Sequence, residues 1–202
     1  MRLQIAIISL VGLLIGMAVA IALNPTIMHK VVGVSKNWSV GRAEIGGPFR
    51  LVDQDGQIVT ENSYEGKSLL VFFGFTHCPD VCPAGLQLVS AAMKKLGPKA
   101  DALQPIFVSL DPNRDTPRQL KLYLSNFDSR IVGLTGTDGQ IASAAKAFRV
   151  YYRKVEDSDL SDGYTVDHSA FIYLIAPNHE FVTHFTHATP LDVLVARLDQ
   201  AL

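Results

Sequence analysis

Cys78 and Cys82 are the only cysteines in this 202-residue chain, and both fall in the stretch "VFFGFTHCPDVCPAG", Val71 to Gly85. Thiols four residues apart support three chemistries. A structural disulfide is the first, but closing so short a loop constrains little of the unfolded chain. Thiol–disulfide exchange is the second. The usual redox spacing is C-x-x-C and this is C-x-x-x-C, yet the Cα atoms still approach within the ~5.5–6 Å a disulfide needs. Metal binding is the third, because paired thiolates are soft donors suited to Cu(I) or Zn(II). Two ligands are few, so that reading requires a third donor from elsewhere.

The flanking sequence shows what positions the pair. Ser68 to Phe75, "SLLVFFGF", is a continuous apolar run, as in a strand covered on both faces. Val81 to Leu96 follows with Leu86, Val89, Met93 and Leu96 at helical spacing. The cysteines thus lie where a buried strand passes into a helix. On a helix the i, i+4 spacing would bring their Cβ atoms to about 6 Å. Free N–H groups and the dipole at the helix start favour thiolate over thiol. Pro79 and Pro83 stiffen the junction.

His168 is the candidate third donor. It reads as opening the strand "HSAFIYLIA", and the alternating topology returns that edge beside the cysteine loop. His77 follows the first strand and should point away from Cys78, which makes it a supporting or structural residue. Asp80 suits a helix start or the docking of a cation. Asp167 is a candidate to orient His168, although strand neighbours face opposite ways. The same alternation separates His179 from His184 and argues against a second metal site with His187. Glu156, Asp157, Asp159, Asp162 and Asp167 read as a solvated loop able to steer a basic partner.

Further elements complete the frame. Phe49–Val52 and Gln57–Thr60 form a predicted hairpin about Asp55-Gly56. Ile106–Leu110 and Ile131–Leu134 read as strands. Thr116 caps a helix opening at Pro117, and a second helix covers Asp138–Phe148. Asp111, Arg114 and Asp115 read as an ion-paired turn and helix cap. A short strand over Val150–Val155, a hairpin of Ser169–Ala176 with Glu180–Phe185, and a helix over Pro190–Leu202 close the chain. Strands alternating with helices, with cysteines at the first strand–helix junction, describe an α/β thioredoxin-like sandwich: a central mixed sheet flanked by helices.

Composition narrows the class. A net charge of −1 without a basic run carries no electrostatic footprint for nucleic acid. Leu3 to Leu23 is uncharged and, at roughly 1.5 Å per residue, long enough for a ~30 Å hydrocarbon core. A signal-peptide h-region is shorter, which favours a retained transmembrane anchor over a cleaved signal sequence. The expected organisation is an anchor over 1–23, a tether over 24–45 holding Trp38, and a domain over 46–202. Arg2 places the N-terminus in the cytoplasm and the domain on the exported side.

The segments "FGFTHCPDVCP", "SLDPNRDTP", "GLTGT" and "VDHSAFIYLI" together resemble the Sco/SenC family. The resemblance runs along nearly the whole domain and includes the anchor. It implies a thioredoxin-like, membrane-anchored protein binding one copper ion, Cu(I) or Cu(II), through Cys78, Cys82 and His168. It further implies a metallochaperone for the CuA centre, with the CuA-bearing subunit of cytochrome c oxidase as partner and an upstream copper donor or thiol reductant. The expected location is the inner membrane, single-pass, facing the periplasm, or the intermembrane space in a mitochondrion. The alternative is a thiol–disulfide oxidoreductase in which Cys78 and Cys82 keep the CuA cysteines reduced. A thiol peroxidase is a third reading of the same thiols.

Overall fold

The computed structural model describes residues 44–158 and 163–202. The predicted anchor, Trp38 and the acids Asp159 and Asp162 lie outside the described residues. Among the described residues no helix is long and apolar enough to cross a membrane.

The hairpin pairs β1 (Arg50–Asp53) with β2 (Ile58–Thr60), and Gly56 supplies the positive φ of its turn. The apolar run becomes β3 (Ser68–Gly74), buried along its whole length, and passes into α1 (Val81–Leu96). The next strand, β4 (Leu103–Ser109), starts earlier than predicted. Pro105 falls inside it, and because the β5 ladder begins only at Ile106 the missing N–H costs nothing on that side. Then come α2 (Pro117–Leu124), with Thr116 Oγ1 accepting from the Gln119 N–H, β5 (Val132–Thr135) and α3 (Asp138–Ala147). Two short strands, β6 (Tyr152–Glu156) and β7 (Tyr164–His168), pair with one another. The chain closes with β8 (Phe171–Ile175), β9 (Phe181–Thr186) and α4 (Leu191–Ala201).

The main sheet has the order β2-β1-β5-β4-β3-β8-β9. The ladders β3–β4 and β4–β5 are parallel, while β1–β2, β1–β5, β3–β8 and β8–β9 are antiparallel. This is the mixed sheet of the thioredoxin-like plan. Side chains alternate across it. On β3, Phe72 packs on Phe107 and lies beneath Gly85 of α1, whereas Phe73 meets Phe148 just past α3. Tyr123 of α2 packs on Phe107, ring centroids 5.9 Å apart, so α1 and α2 share one face and the end of α3 packs on the other. Two ion pairs tie this region to α4: Lys95 of α1 to Asp192, and Lys99, in the 3-10 turn just past α1, to Asp199.

One expectation is corrected. The acidic segment is not loop throughout, and His168 does not open the strand that follows: it ends β7, two residues after the buried Val166. Tyr164, Val166 and His168 alternate with polar residues, enough to form a ribbon with β6. Arg153 and Asp167 face one another across it as an opposite-charge pair.

Candidate metal centre

Cys78 lies in the β3–α1 loop and Cys82 in the first turn of α1. Both are free thiols, Cys78 half-buried and Cys82 buried. The Cys82 N–H donates to Cys78 Sγ at 3.4 Å, which is how the start of the helix holds the first sulfur. The resulting dithiol sits at the C-terminal end of β3, beside the antiparallel neighbour β8 that follows β7. His168 Nε2 arrives 3.8 Å from Cys82 Sγ. The other ring nitrogen, Nδ1, lies 3.2 Å from the Val166 carbonyl. A carbonyl only accepts, so in the neutral ring Nδ1 carries the proton and Nε2 turns its lone pair toward the sulfurs. A metal bonded at about 2.3 Å to a thiolate and about 2.0 Å to an imidazole fits in that gap. Among the described residues no three His, Cys, Asp or Glu side chains converge as a metal cage.

The two sulfurs differ electrostatically. Cys78 is pulled down to about 5, foremost by the hydrogen bond from the Cys82 side chain, with the backbone N–H groups of Cys82 and Asp80 and the charge of His168 adding to it against the cost of burial. Cys82 is pushed up by the same hydrogen bond and by burial. At neutral pH the pair therefore holds one thiolate, on the more accessible sulfur. Only the thiolate is nucleophilic, so alkylation of Cys78 by iodoacetamide should rise through about pH 5 and stay flat from about 7 to 9. A rate still climbing steeply at about pH 9 would match an ordinary thiol and contradict this asymmetry.

Four supporting residues were not legible as such. Gly74 ends β3 where Cys82 packs: a Cβ there would lie 2.6 Å from Cys82 Sγ and 2.8 Å from the Phe107 ring. Neither neighbour can yield, since a cysteine has one rotatable bond and Phe107 is fully buried. Gly74→Ala should cost about 1–3 kcal/mol in urea unfolding and weaken copper retention. Unchanged stability and retention would show that the close approach is immaterial. Phe75 meets the His168 ring edge-on at 5.7 Å. Asp115, fully buried, accepts from the Thr76 N–H at 2.9 Å and from the Thr76 and Ser109 hydroxyls at 2.6 Å each. It was expected to cap a helix; Thr116 does that, and Asp115 instead ties the start of the cysteine loop to the end of β4. The fourth is Tyr164, taken up below.

The remaining candidates fall as follows. His77 turns from the sulfurs to Thr76 Oγ1 (3.1 Å) and Asp115. Asp80 occupies the N-cap position of α1 without a side-chain capping bond. Asp167 is exposed, and the Val166 carbonyl takes the orienting role considered for it. His184 contacts the rings of Phe171 and Phe181, and His179 adopts φ 65° in the β8–β9 turn. The structure does not assemble His179, His184 and His187 among the described residues into a metal-holding group.

A mixed sheet, a dithiol where its central strand meets a helix, and an imidazole nitrogen aimed at the buried sulfur define a thioredoxin-like protein with a third donor facing its thiols. The chain belongs to the SCO1/SenC family, whose profile matches residues 39–202. It is 43% identical to the mitochondrial SCO1 homolog 1 of Arabidopsis thaliana over 81% of this chain and 48% of that protein, so it spans about half of that relative. It is 37% identical to a SCO2-like protein of Rickettsia conorii over 90% and 89% of the two chains. Among solved structures, Bradyrhizobium japonicum ScoI with copper bound is 45% identical, with a TM-score of 0.72 over 78% of this chain and 99% of that one. Yeast Sco1 with copper bound is 37% identical, at 0.69 over 79% and 91%. BsSco, described by a disulfide switch and as a member of the Sco family of cytochrome c oxidase assembly proteins, is 26% identical at 0.61 over 80% and 95%.

Proposed function

We propose that this protein is a membrane-anchored copper carrier that loads the CuA-bearing subunit of cytochrome c oxidase, holding one copper ion through Cys78, Cys82 and His168. The observation that carries this reading is the 3.8 Å approach of His168 Nε2 to Cys82 Sγ with Nδ1 tied back to a carbonyl. A dithiol serving exchange alone has no need of an oriented imidazole lone pair. The copper-bound relatives from Bradyrhizobium and yeast support the choice of metal. Two thiolates satisfy Cu(I), while Cu(II) prefers nitrogen and oxygen donors and draws on His168. A histidine at the end of a two-stranded ribbon can withdraw, leaving a two-thiolate site open to a partner's ligands. Titration of the reduced, detergent-solubilised full chain with Cu(I) should saturate at one copper per chain. Prior alkylation of Cys78 should prevent it; undiminished binding after alkylation would sink the proposal.

The asymmetric dithiol supports a second reading, reduction of the partner's disulfide. The Cys78 thiolate attacks the partner's disulfide and releases one partner thiol; Cys82, giving up its proton, then attacks Cys78 Sγ in the mixed disulfide and expels the second, so Cys78–Cys82 is left oxidised while the partner gains two thiols. The BsSco disulfide switch is in keeping with it. Both roles place the domain on the periplasmic side of the inner membrane, anchored by the segment Leu3 to Leu23. Protease added to intact spheroplasts should digest the domain, and full protection would contradict that placement.

A further inference from the structure

His168 is carried by a ribbon that has no strand pairing with the main sheet among the described residues. The backbone ties it to that sheet only where β7 runs on into β8, so side chains must place the rest of the ribbon. Tyr164, Val166 and His168 occupy alternate positions of β7 and share one face. Val166 is buried in the core, and His168 meets Phe75 and Cys82. Tyr164, about 13 Å from His168 along the strand, meets something else. Its hydroxyl donates to Asp111 at 2.9 and 3.2 Å, its ring lies 3.8 Å below the Arg114 guanidinium, and its carbonyl accepts from Arg114 Nη1 at 3.2 Å.

Asp111 has no exposed surface, and its charge is met by the Arg114 ion pair and by Lys154 of β6 at 3.8 Å. One buried carboxylate thus gathers the β4–α2 loop, β6 and β7. Arg114 also lies 6.0 Å from the ring of Phe75, the ring that packs on His168. A buried ion pair of this kind adds little net stability, because desolvation offsets most of the attraction, but it fixes geometry strongly. The guanidinium plane satisfies a carboxylate, a carbonyl and an aromatic face at once, which lysine cannot reproduce.

We propose that Asp111, Arg114 and Tyr164 form a latch that holds the β6–β7 ribbon in the register that aims His168 at the cysteine pair. They are positioning residues, acting through His168 and touching neither sulfur. This rests on the copper reading only for its consequence; the placement of His168 is a property of the metal-free protein.

The test uses the full chain and the variants Tyr164→Ala, Tyr164→Phe and His168→Ala. In the reduced, metal-free protein the His168 ring-proton resonances, displaced by Phe75, should move in Tyr164→Ala toward those of an exposed histidine such as His187, and largely return in Tyr164→Phe. Cu(II) affinity should fall about 10–100-fold in Tyr164→Ala, the range seen for residues that orient a ligand, while Cu(I) affinity changes less than about threefold. The Cys78–Cys82 disulfide potential should not change. If Tyr164→Ala does not fold, Arg114→Lys is read by the same resonances. A folded variant with wild-type His168 resonances and wild-type Cu(II) affinity overturns the latch. Resonances that move, while neither Tyr164→Ala nor His168→Ala alters copper binding, uphold the latch and remove His168 from the copper site.

Discussion

Cys78→Ser should abolish copper retention in both oxidation states while leaving the fold intact. Cys78 contributes the sulfur that is ionised at neutral pH, so its loss removes the anionic donor along with one of two soft ligands. A serine hydroxyl is hard and neutral, and what remains is a buried thiol with one imidazole. The expected loss in a chelator competition exceeds about a hundredfold, the upper end of the cost of removing residues that merely support a ligand. Cys78 is half-exposed in a loop, so thermal unfolding should be nearly unaffected. That makes it a cleaner probe than Cys82, which is fully buried against Gly74 and whose replacement also disturbs packing. A Cys78→Ser protein that keeps copper within about tenfold of wild type would place the metal elsewhere.

His168→Ala should divide the two oxidation states. Cu(I) is content with two thiolates, so its affinity should fall only a few-fold. Cu(II) loses the one nitrogen aimed at the site, and its affinity should fall more than about tenfold. The thiols should keep their character, because the His168 charge is the smallest contribution to the lowered Cys78 pKa. The alkylation profile is then a control showing that the dithiol is undamaged. Equal and negligible losses for Cu(I) and Cu(II) would remove His168 from the metal site. Chelator competition followed by electron paramagnetic resonance of the Cu(II) form reads both.

The sequence and the structure agree where pattern and burial coincide. The β3–α1 junction is written as an unbroken apolar run followed by helical spacing, and the structure runs α1 from Val81 to Leu96 as that spacing predicts. The Thr116 cap and the Asp55-Gly56 turn rest on equally local chemistry. Tertiary effects are the ones that escape. Pro105 is tolerated in a central strand because its neighbour starts one residue later. The strand β7 hides in an acidic segment because its apolar face is three residues long and its partner is another short strand. Asp115 and Asp111 sit four apart in a stretch that reads as a turn, yet both are fully buried and organise different loops. Nothing in residue type separates a buried aspartate from a solvated one. Of the three proposed ligands, the cysteines are legible from spacing, whereas His168 needed topology: its reach to Cys82 spans 86 residues of sequence.

The most direct test of copper carriage mixes the Cu(I)-loaded full chain with the metal-free CuA-bearing oxidase subunit, its cysteines already reduced, and follows copper and thiols together. The account predicts stoichiometric transfer of copper to the subunit, with Cys78 and Cys82 recovered as thiols. Copper that stays on this chain, while a disulfide-containing subunit is reduced at the expense of Cys78 and Cys82, would contradict it and leave the protein a thiol reductase.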